Sequence, residues 1–155
     1  MTYEEMCAFE VLYRAYLSAR SGKRSKAGTA QYEANALACT DKLSRKLLNR
    51  TYTPSNFETF FVYEPKKRLV QAPAFVDKVV LHAATDNVLY DAITHSFIRD
   101  NHAGQKEKGT HDGLMRLKQH MAEYYRRTGS ADGWVLKCDV RKFFASIDHD
   151  ILKAK

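Results

Sequence analysis

The sequence has few cysteines, no long hydrophobic run and no basic-then-apolar N-terminus, and each absence excludes a class of protein. Its 3 cysteines, Cys7, Cys39 and Cys138, are far apart and odd in number, which argues against a disulfide framework or a zinc site. We interpret them as reduced, buried thiols of a cytoplasmic protein. No apolar run approaches the roughly 20 residues of a membrane span. The N-terminus also lacks the layout of a signal peptide.

Several catalytic motifs are missing as well. The sequence contains no GxSxG, CxxC, GxGxxG or HExxH pattern, so hydrolase, redox and dinucleotide-binding functions have no support. The segment 104–110 differs from a P-loop because its second glycine precedes threonine instead of lysine. It is still a candidate phosphate-binding loop before a predicted helix, with a flexible surface loop as the alternative. The nucleic-acid-binding candidates in it are Lys106, Lys108, Gly109, Thr110 and His111.

Positive charge is what the sequence has in excess. Among 155 residues, 25 are Lys or Arg and 18 are Asp or Glu, which gives a net charge of +7. The basic residues cluster at 20–26, 66–68, 106–108, 126–127 and 141–142. A basic chain with local clusters indicates a polyanionic partner, most simply a nucleic acid. A solubilising surface is the alternative for any single cluster.

Apolar spacing and turn residues predict an α+β fold. Helices are predicted over about 3–20, 30–50, 75–98 and 111–127, the third of them buried on more than one side. Phe60–Tyr63 and Arg68–Ala72 are predicted to form a β-hairpin around a basic turn. A buried strand is predicted over 134–140, and Asp148 is predicted to cap a helix.

Asp139 ends the apolar run that begins at Trp134, so it is expected at the rim of a sheet. Phosphoryl transfer of the polymerase type uses two magnesium ions about 3.5–4 Å apart, held by oxygen ligands. One aspartate can hold them only with other carboxylates. Asp148 and Asp150 follow, but helix capping and first-turn charge are the favoured roles for both. A turn or cap residue is the alternative for Asp139 itself.

The turn of the predicted hairpin is a second candidate site. Lys66, Lys67 and Arg68 stand there together, and they could clamp a triphosphate, since Arg makes bidentate contacts and Lys supplies a point charge. A solvated edge hairpin protected by lysines is an equal alternative.

Four segments stand in an order that is typical of one enzyme family. They are Arg68–Val80, Phe97–His111 with its Lys-Gly-Thr-His, Trp134–Asp139, and Val140–Leu152. Together they resemble a bacterial reverse transcriptase of the group II intron-like branch. The short N-terminus, the Lys-Gly-Thr-His and the residues around Asp139 look most like the enzymes of diversity-generating retroelements. The resemblance covers roughly residues 50–155, and residues 1–50 match only loosely.

This resemblance implies roles for individual residues. Asp139 would be the first catalytic ligand of Mg²⁺ or Mn²⁺, with the Val140 carbonyl nearby. Phe144 would be the aromatic gate that packs under the sugar and excludes a 2′-hydroxyl.

The basic residues receive roles in the same way. Arg68, with Lys66 or Lys67, would hold the incoming triphosphate. Arg141 and Lys142 would lie close to the nucleotide.

The sequence departs from the family at three points, since the second metal-binding Asp-Asp strand, a Gln-containing segment and the thumb are absent. We therefore expect an incomplete right-hand polymerase fold. Residues 1–50 would be a helical extension, 51–130 mostly helical fingers with the hairpin, and 131–155 the start of the palm with its first strand. This fragment alone is expected to be inactive. A deliberately shortened chain, a truncated gene and a split enzyme all remain open.

The parent enzyme would be an RNA-directed DNA polymerase in the bacterial cytoplasm. Its partners would be an RNA template, a DNA or RNA primer, dNTPs, the missing palm and thumb, and an accessory protein of the retroelement. The exposed palm edge is also expected to promote self-association. The alternative is a non-catalytic basic module for RNA binding or assembly.

Overall fold

The computed structural model describes residues 1–154 and confirms the α+β class. It divides into two units, Met1–Ile98 and the chain from Arg99 onward. The helices of the first unit are α1 (Tyr3–Met6), α2 (Phe9–Arg20), α3 (Ala27–Ala34), α4 (Ala36–Leu48), α5 (Phe75–Ala84), a π-helical turn (Thr85–Leu89) and α6 (Tyr90–Thr94). Its strands are β1 (Glu58–Val62) and β2 (Arg68–Ala72). The second unit contains α7 (Thr110–Thr128), a 3-10 turn (Phe143–Ser146) and α8 (His149–Lys153).

The first predicted helix is divided in two, and a tertiary hydrogen bond lies at the break. Thr2 and Glu5 form a capping box that starts α1. The backbone leaves the helical conformation at Ala8, whose ψ is 144°. The carbonyl of Cys7 is then satisfied from α4, because the Ser44 hydroxyl donates a hydrogen bond of 2.6 Å to it. In the same way, the Tyr3 hydroxyl donates to the Leu47 carbonyl at the end of α4, at 2.8 Å.

The core of the described chain lies entirely in the first unit. Helix α2 packs against α4 and α5, and α3 also contacts α5. Three rings meet at the centre: Tyr32 lies 5.3 Å from both Tyr16 and Phe75, between ring centroids. Contacts at this spacing add to the gain from burying the rings. The core side chains are Met6, Cys7, Leu12, Ala15, Tyr16, Ala19, Tyr32, Leu43, Leu47, Phe75, Val79 and Ala83.

The long helix predicted over 75–98 is buried in its first half only, so the prediction of burial is wrong for its second half. Helix α5 turns Phe75, Val79 and Ala83 into the core, as i, i+4, i+8 spacing requires. A π-helical turn follows, and its residues Val88 and Leu89 are exposed. The apolar residues of this second half are therefore only partly covered within the described chain.

The predicted hairpin is confirmed. Strands β1 and β2 pair antiparallel in the register Val62 to Arg68 and Glu58 to Ala72. The turn comprises residues 63–67, which puts Lys66 and Lys67 in the turn and Arg68 at the start of β2. Because side chains alternate along a strand, the two faces of this hairpin carry different residues.

The second unit differs from the first because none of its described residues is buried. Helix α7 has an apolar stripe of Leu114, Leu117 and Met121, and all three are exposed. Residues 130–140 form neither helix nor strand, so the strand predicted over 134–140 is wrong. A strand needs a neighbour to hydrogen-bond with, and the described part of this unit contains none. Val135 and Leu136, expected to be buried, are 93% and 88% exposed.

The cysteines lie in three different environments, which corrects the expectation that all are buried. Cys7 is buried, Cys39 is partly buried and Cys138 is exposed. Burial raises the pKa of the Cys7 thiol, so its reactive thiolate is scarce. None of the helices in residues 1–154 has both the length and the apolar character needed to cross a membrane.

These environments predict the order in which the thiols react. Treatment of the native protein with iodoacetamide near neutral pH should alkylate Cys138 first and Cys7 last, because Cys138 is exposed while burial shields Cys7 and raises the pKa of its thiol. Peptide mass mapping over time measures the order. In denaturant the difference should disappear. Rapid native alkylation of Cys7 would contradict the buried position of this residue.

Candidate nucleotide and nucleic-acid interface

The hairpin places Lys67 and Arg68 on opposite faces. Lys67 lies on the same side as Phe61 and Tyr63, since its Nζ is 4.6 Å from the Phe61 ring centroid and 5.9 Å from that of Tyr63. Arg68 pairs with Val62, and alternation puts that pair on the opposite face from Phe61. Lys66 and Arg68 are exposed. Lys67 and Arg68 therefore do not converge on one phosphate from the same face.

A buried carboxylate fixes the chain that leads into the hairpin. Asp77 of α5 accepts a hydrogen bond from the Tyr52 hydroxyl at 2.5 Å and another from the Ser55 backbone N–H at 3.0 Å. Asp77 is buried. Burial, followed by the hydrogen bond to Asp77, raises the pKa of the Tyr52 hydroxyl. Asp77 thus joins α5 to the segment just before β1.

In the second unit, the loop 99–109 is tied to α7 by two groups of polar side chains. Asp100 accepts hydrogen bonds from Arg116 Nε at 2.7 Å, and its other oxygen lies 2.9 Å from His120 Nε2. His102 Nδ1 lies 2.6 Å from Asp112 Oδ2. The hydrogen bond from Arg116, followed by that from His120, lowers the pKa of Asp100.

The phosphate-binding candidates lie at the start of α7. Lys108 turns back into its own loop, where its Nζ donates to the Arg99 carbonyl at 2.9 Å and to the Asn101 carbonyl at 3.3 Å. Lys106 and His111 are exposed. Gly109 precedes the helix, and Thr110 is the first helical residue. Because Lys108 already satisfies loop carbonyls, its observed role is to shape the loop.

Asp139 lies in the exposed segment 131–140, as does Val140. Arg141 follows in a turn, and Phe144 is exposed in the 3-10 turn with its ring 5.3 Å from that of Phe143. Asp148 caps α8 as predicted, accepting hydrogen bonds from the N–H groups of Asp150 and Ile151 at 2.9 and 3.2 Å. The residues implied for catalysis are therefore close in sequence but have no packed surroundings.

The oxygen ligands present fit only part of a magnesium site. Asp139 and the Val140 carbonyl are hard donors of the kind that Mg²⁺ prefers. Within residues 1–154, however, no three His, Cys, Asp or Glu side chains form a group that could hold a metal ion. Two ions need several carboxylates, so the described chain does not by itself fit the pair.

Sequence reasoning missed the two features that organise these segments. The first is the contact from Asp77 to Tyr52 and Ser55, and the second is the pairing of Asp100 with Arg116 and His120. The only signal for the first is an aspartate in the first turn of a mostly apolar helix. Spacing along the chain carries no signal for the second, because its partners are 16 and 20 residues from Asp100.

Comparison with models of known protein families found no match, and comparison with curated proteins found no match either.

Proposed function

We propose that this chain is the fingers and the first part of the palm of an RNA-directed DNA polymerase, a reverse transcriptase of the group II intron-like branch. It would bind RNA template and dNTP and supply Asp139 as the first magnesium ligand. The other carboxylates of the two-metal site would come from polypeptide beyond these residues. The chain alone would then be inactive.

The exposed apolar segment before Asp139 is the observation that carries this proposal. Trp134 is fully exposed, and Val135 and Leu136 nearly so. An apolar run that ends in a carboxylate is typical of a strand inside a sheet. Leaving such a run exposed to water costs free energy, because its apolar surface is not buried. A palm sheet would pair this segment and cover it. The uncovered stripe of α7 supports the same proposal, because Leu114, Leu117 and Met121 also need a partner surface.

The hairpin supports the nucleotide-binding part of the proposal. Arg68 and Lys66 are both exposed, and neither makes an ion pair within residues 1–154. A free guanidinium at the start of a strand can take a triphosphate oxygen pair in a bidentate manner. The Asp77 contact would hold this hairpin at a fixed position on α5.

The second candidate function is a non-catalytic, basic RNA-binding or assembly module. The exposed Arg126 and Arg127 at the end of α7 favour it, because phosphate contact needs no carboxylate. RNA binding that weakens with salt is expected under both functions, so a salt titration does not separate them.

Primer extension on an RNA template tests the proposal. The chain alone should make no product, whereas the polypeptide encoded when the reading frame is followed downstream should synthesise DNA. Asp139→Asn should abolish that synthesis, since a two-metal site cannot lose a charged ligand. Asp148→Asn is the matched control and should keep activity, because asparagine also caps a helix.

Two results would contradict the proposal. Strong, Asp139-dependent synthesis by the chain alone would show that the site is complete within it. A stop codon directly after the last codon, or an extended protein that binds RNA but makes no DNA, would favour the RNA-binding module instead.

A further inference from the structure

We infer that one face of the hairpin is a binding site for single-stranded RNA, separate from the side that carries Arg68. The site consists of Phe61, Tyr63, Leu69 and Lys67, called the aromatic face below. That the bound strand is RNA rests on the proposed function, and the aromatic face would be the place where unpaired template lies.

The register of the strands defines the aromatic face. Phe61 pairs directly with Leu69, and alternation puts Tyr63, two residues further on, on the same side. The Phe61 and Tyr63 ring centroids are 6.4 Å apart, with their planes inclined at 42°. Lys67 lies over both rings. Arg68 and its partner Val62 are on the other side.

This face is open. Phe61 is 50% exposed, Tyr63 66% and Leu69 57%. On the opposite face, Val70 and Ala72 of β2 are partly buried. The opposite face carries one aromatic residue, Phe60, which is 46% exposed. Phe61 and Tyr63 therefore form the hairpin's only face with two neighbouring exposed rings.

The charge of Lys67 indicates what this face would bind. Lys67 makes no ion pair with any carboxylate in residues 1–154, so the only partners of its ammonium are the two rings. Exposed rings interleaved with an unneutralised cation are the combination that binds single strands, where bases stack on the rings and the cation takes a phosphate. A duplex offers its phosphates but not the faces of its bases, so the rings discriminate between the two.

Fluorescence anisotropy with a short labelled single-stranded RNA and the full chain tests this site. Phe61→Leu and Tyr63→Leu should each weaken binding by about 5- to 150-fold, because each removes a stacking surface while keeping an apolar side chain. Phe60→Leu is the matched control on the opposite face and should bind like the unchanged protein. Lys67→Met should reduce the salt slope of log K by about 0.7, the value for one phosphate of a single strand.

Circular dichroism should show that all four variants keep the fold, since the replaced side chains are exposed. Ring variants that bind like the unchanged protein would overturn the inference, as would equal losses for Phe60→Leu and Phe61→Leu. Equal binding of duplex RNA with the same dependence on the rings would overturn it too. The inference and the proposed function can fail separately. If the ring variants bind RNA normally while the extended protein synthesises DNA, only the inference fails. If the extended protein makes no DNA while the ring variants bind RNA more weakly, only the proposed function fails.

Discussion

Replacing Leu12 by alanine is expected to lower the free energy of unfolding by about 2–5 kcal/mol, the range for removing a large aliphatic side chain from a packed core. Leu12 is 0% exposed and belongs to the core cluster of the first unit. Its loss leaves a cavity where α2 meets α4 and α5. Urea denaturation followed by far-UV circular dichroism measures the change, provided the slope with denaturant stays the same.

The matched control lies in the other unit. Leu117 also sits on a helix with apolar spacing, but it is 52% exposed. Leu117→Ala should therefore change the free energy of unfolding by no more than about 0.5 kcal/mol. Similar losses for the two variants would mean that α7 is packed as tightly as α2, which contradicts the absence of buried residues in 99–154.

Replacing Asp77 by alanine should have the second large effect. Hydrogen bonds to a charged group contribute about 1.5–3 kcal/mol each, and Asp77 accepts two. The variant also leaves the Ser55 N–H and the Tyr52 hydroxyl without the carboxylate that accepts their hydrogen bonds. We expect a lower free energy of unfolding together with faster amide exchange in residues 52–62, because the link between α5 and the hairpin is lost. Urea denaturation and hydrogen exchange measure the two effects.

Asp86→Ala is the control for Asp77→Ala. Asp86 is an exposed carboxylate of the neighbouring π-helical turn, 3.7 Å from His82, and an exposed pair of this kind contributes little. If Asp86→Ala proved as costly as Asp77→Ala, the effect could not come from the buried hydrogen bonds.

The Tyr52 hydroxyl adds a dependence on pH to the same contact. Its pKa in the folded protein lies above the unfolded value near 10, so the folded state holds this proton more tightly. Its stabilising contribution is complete below about pH 10 and is lost as the pH rises toward the folded pKa. Tyr52→Phe should reduce the alkaline loss of stability, measured as thermal midpoints above pH 9 or so.

Local features of the fold could be predicted from the sequence. The capping box of Thr2 and Glu5, the hairpin and the Asp148 cap depend on residues a few positions apart, and the rules for such contacts need no tertiary information. The predicted helix 111–127 agrees closely with α7. The predicted helix 3–20 is instead broken at Cys7, where the carbonyl accepts a hydrogen bond from the Ser44 hydroxyl, 37 residues away. Local spacing gives no sign of this contact.

Burial could not be predicted in the same way. The run 134–140 and the stripe of α7 have the apolar patterns of core elements, yet they are exposed in the described chain. A pattern indicates which face can be buried, but only a neighbouring element buries it. The positions of Asp139 and Phe144 beside a metal and a nucleotide therefore stay predictions.

The sequence by itself determined the charge, the short-range caps, the hairpin and the order of segments that resembles a reverse transcriptase. Each of these depends on residue type or on spacings of a few residues. The tertiary structure alone decided that Asp77 holds the hairpin on α5, that Lys67 and Arg68 face opposite sides, and that the core is confined to Met1–Ile98. Those features depend on contacts between residues that are far apart in the sequence, and a pattern of residue spacing does not predict such contacts.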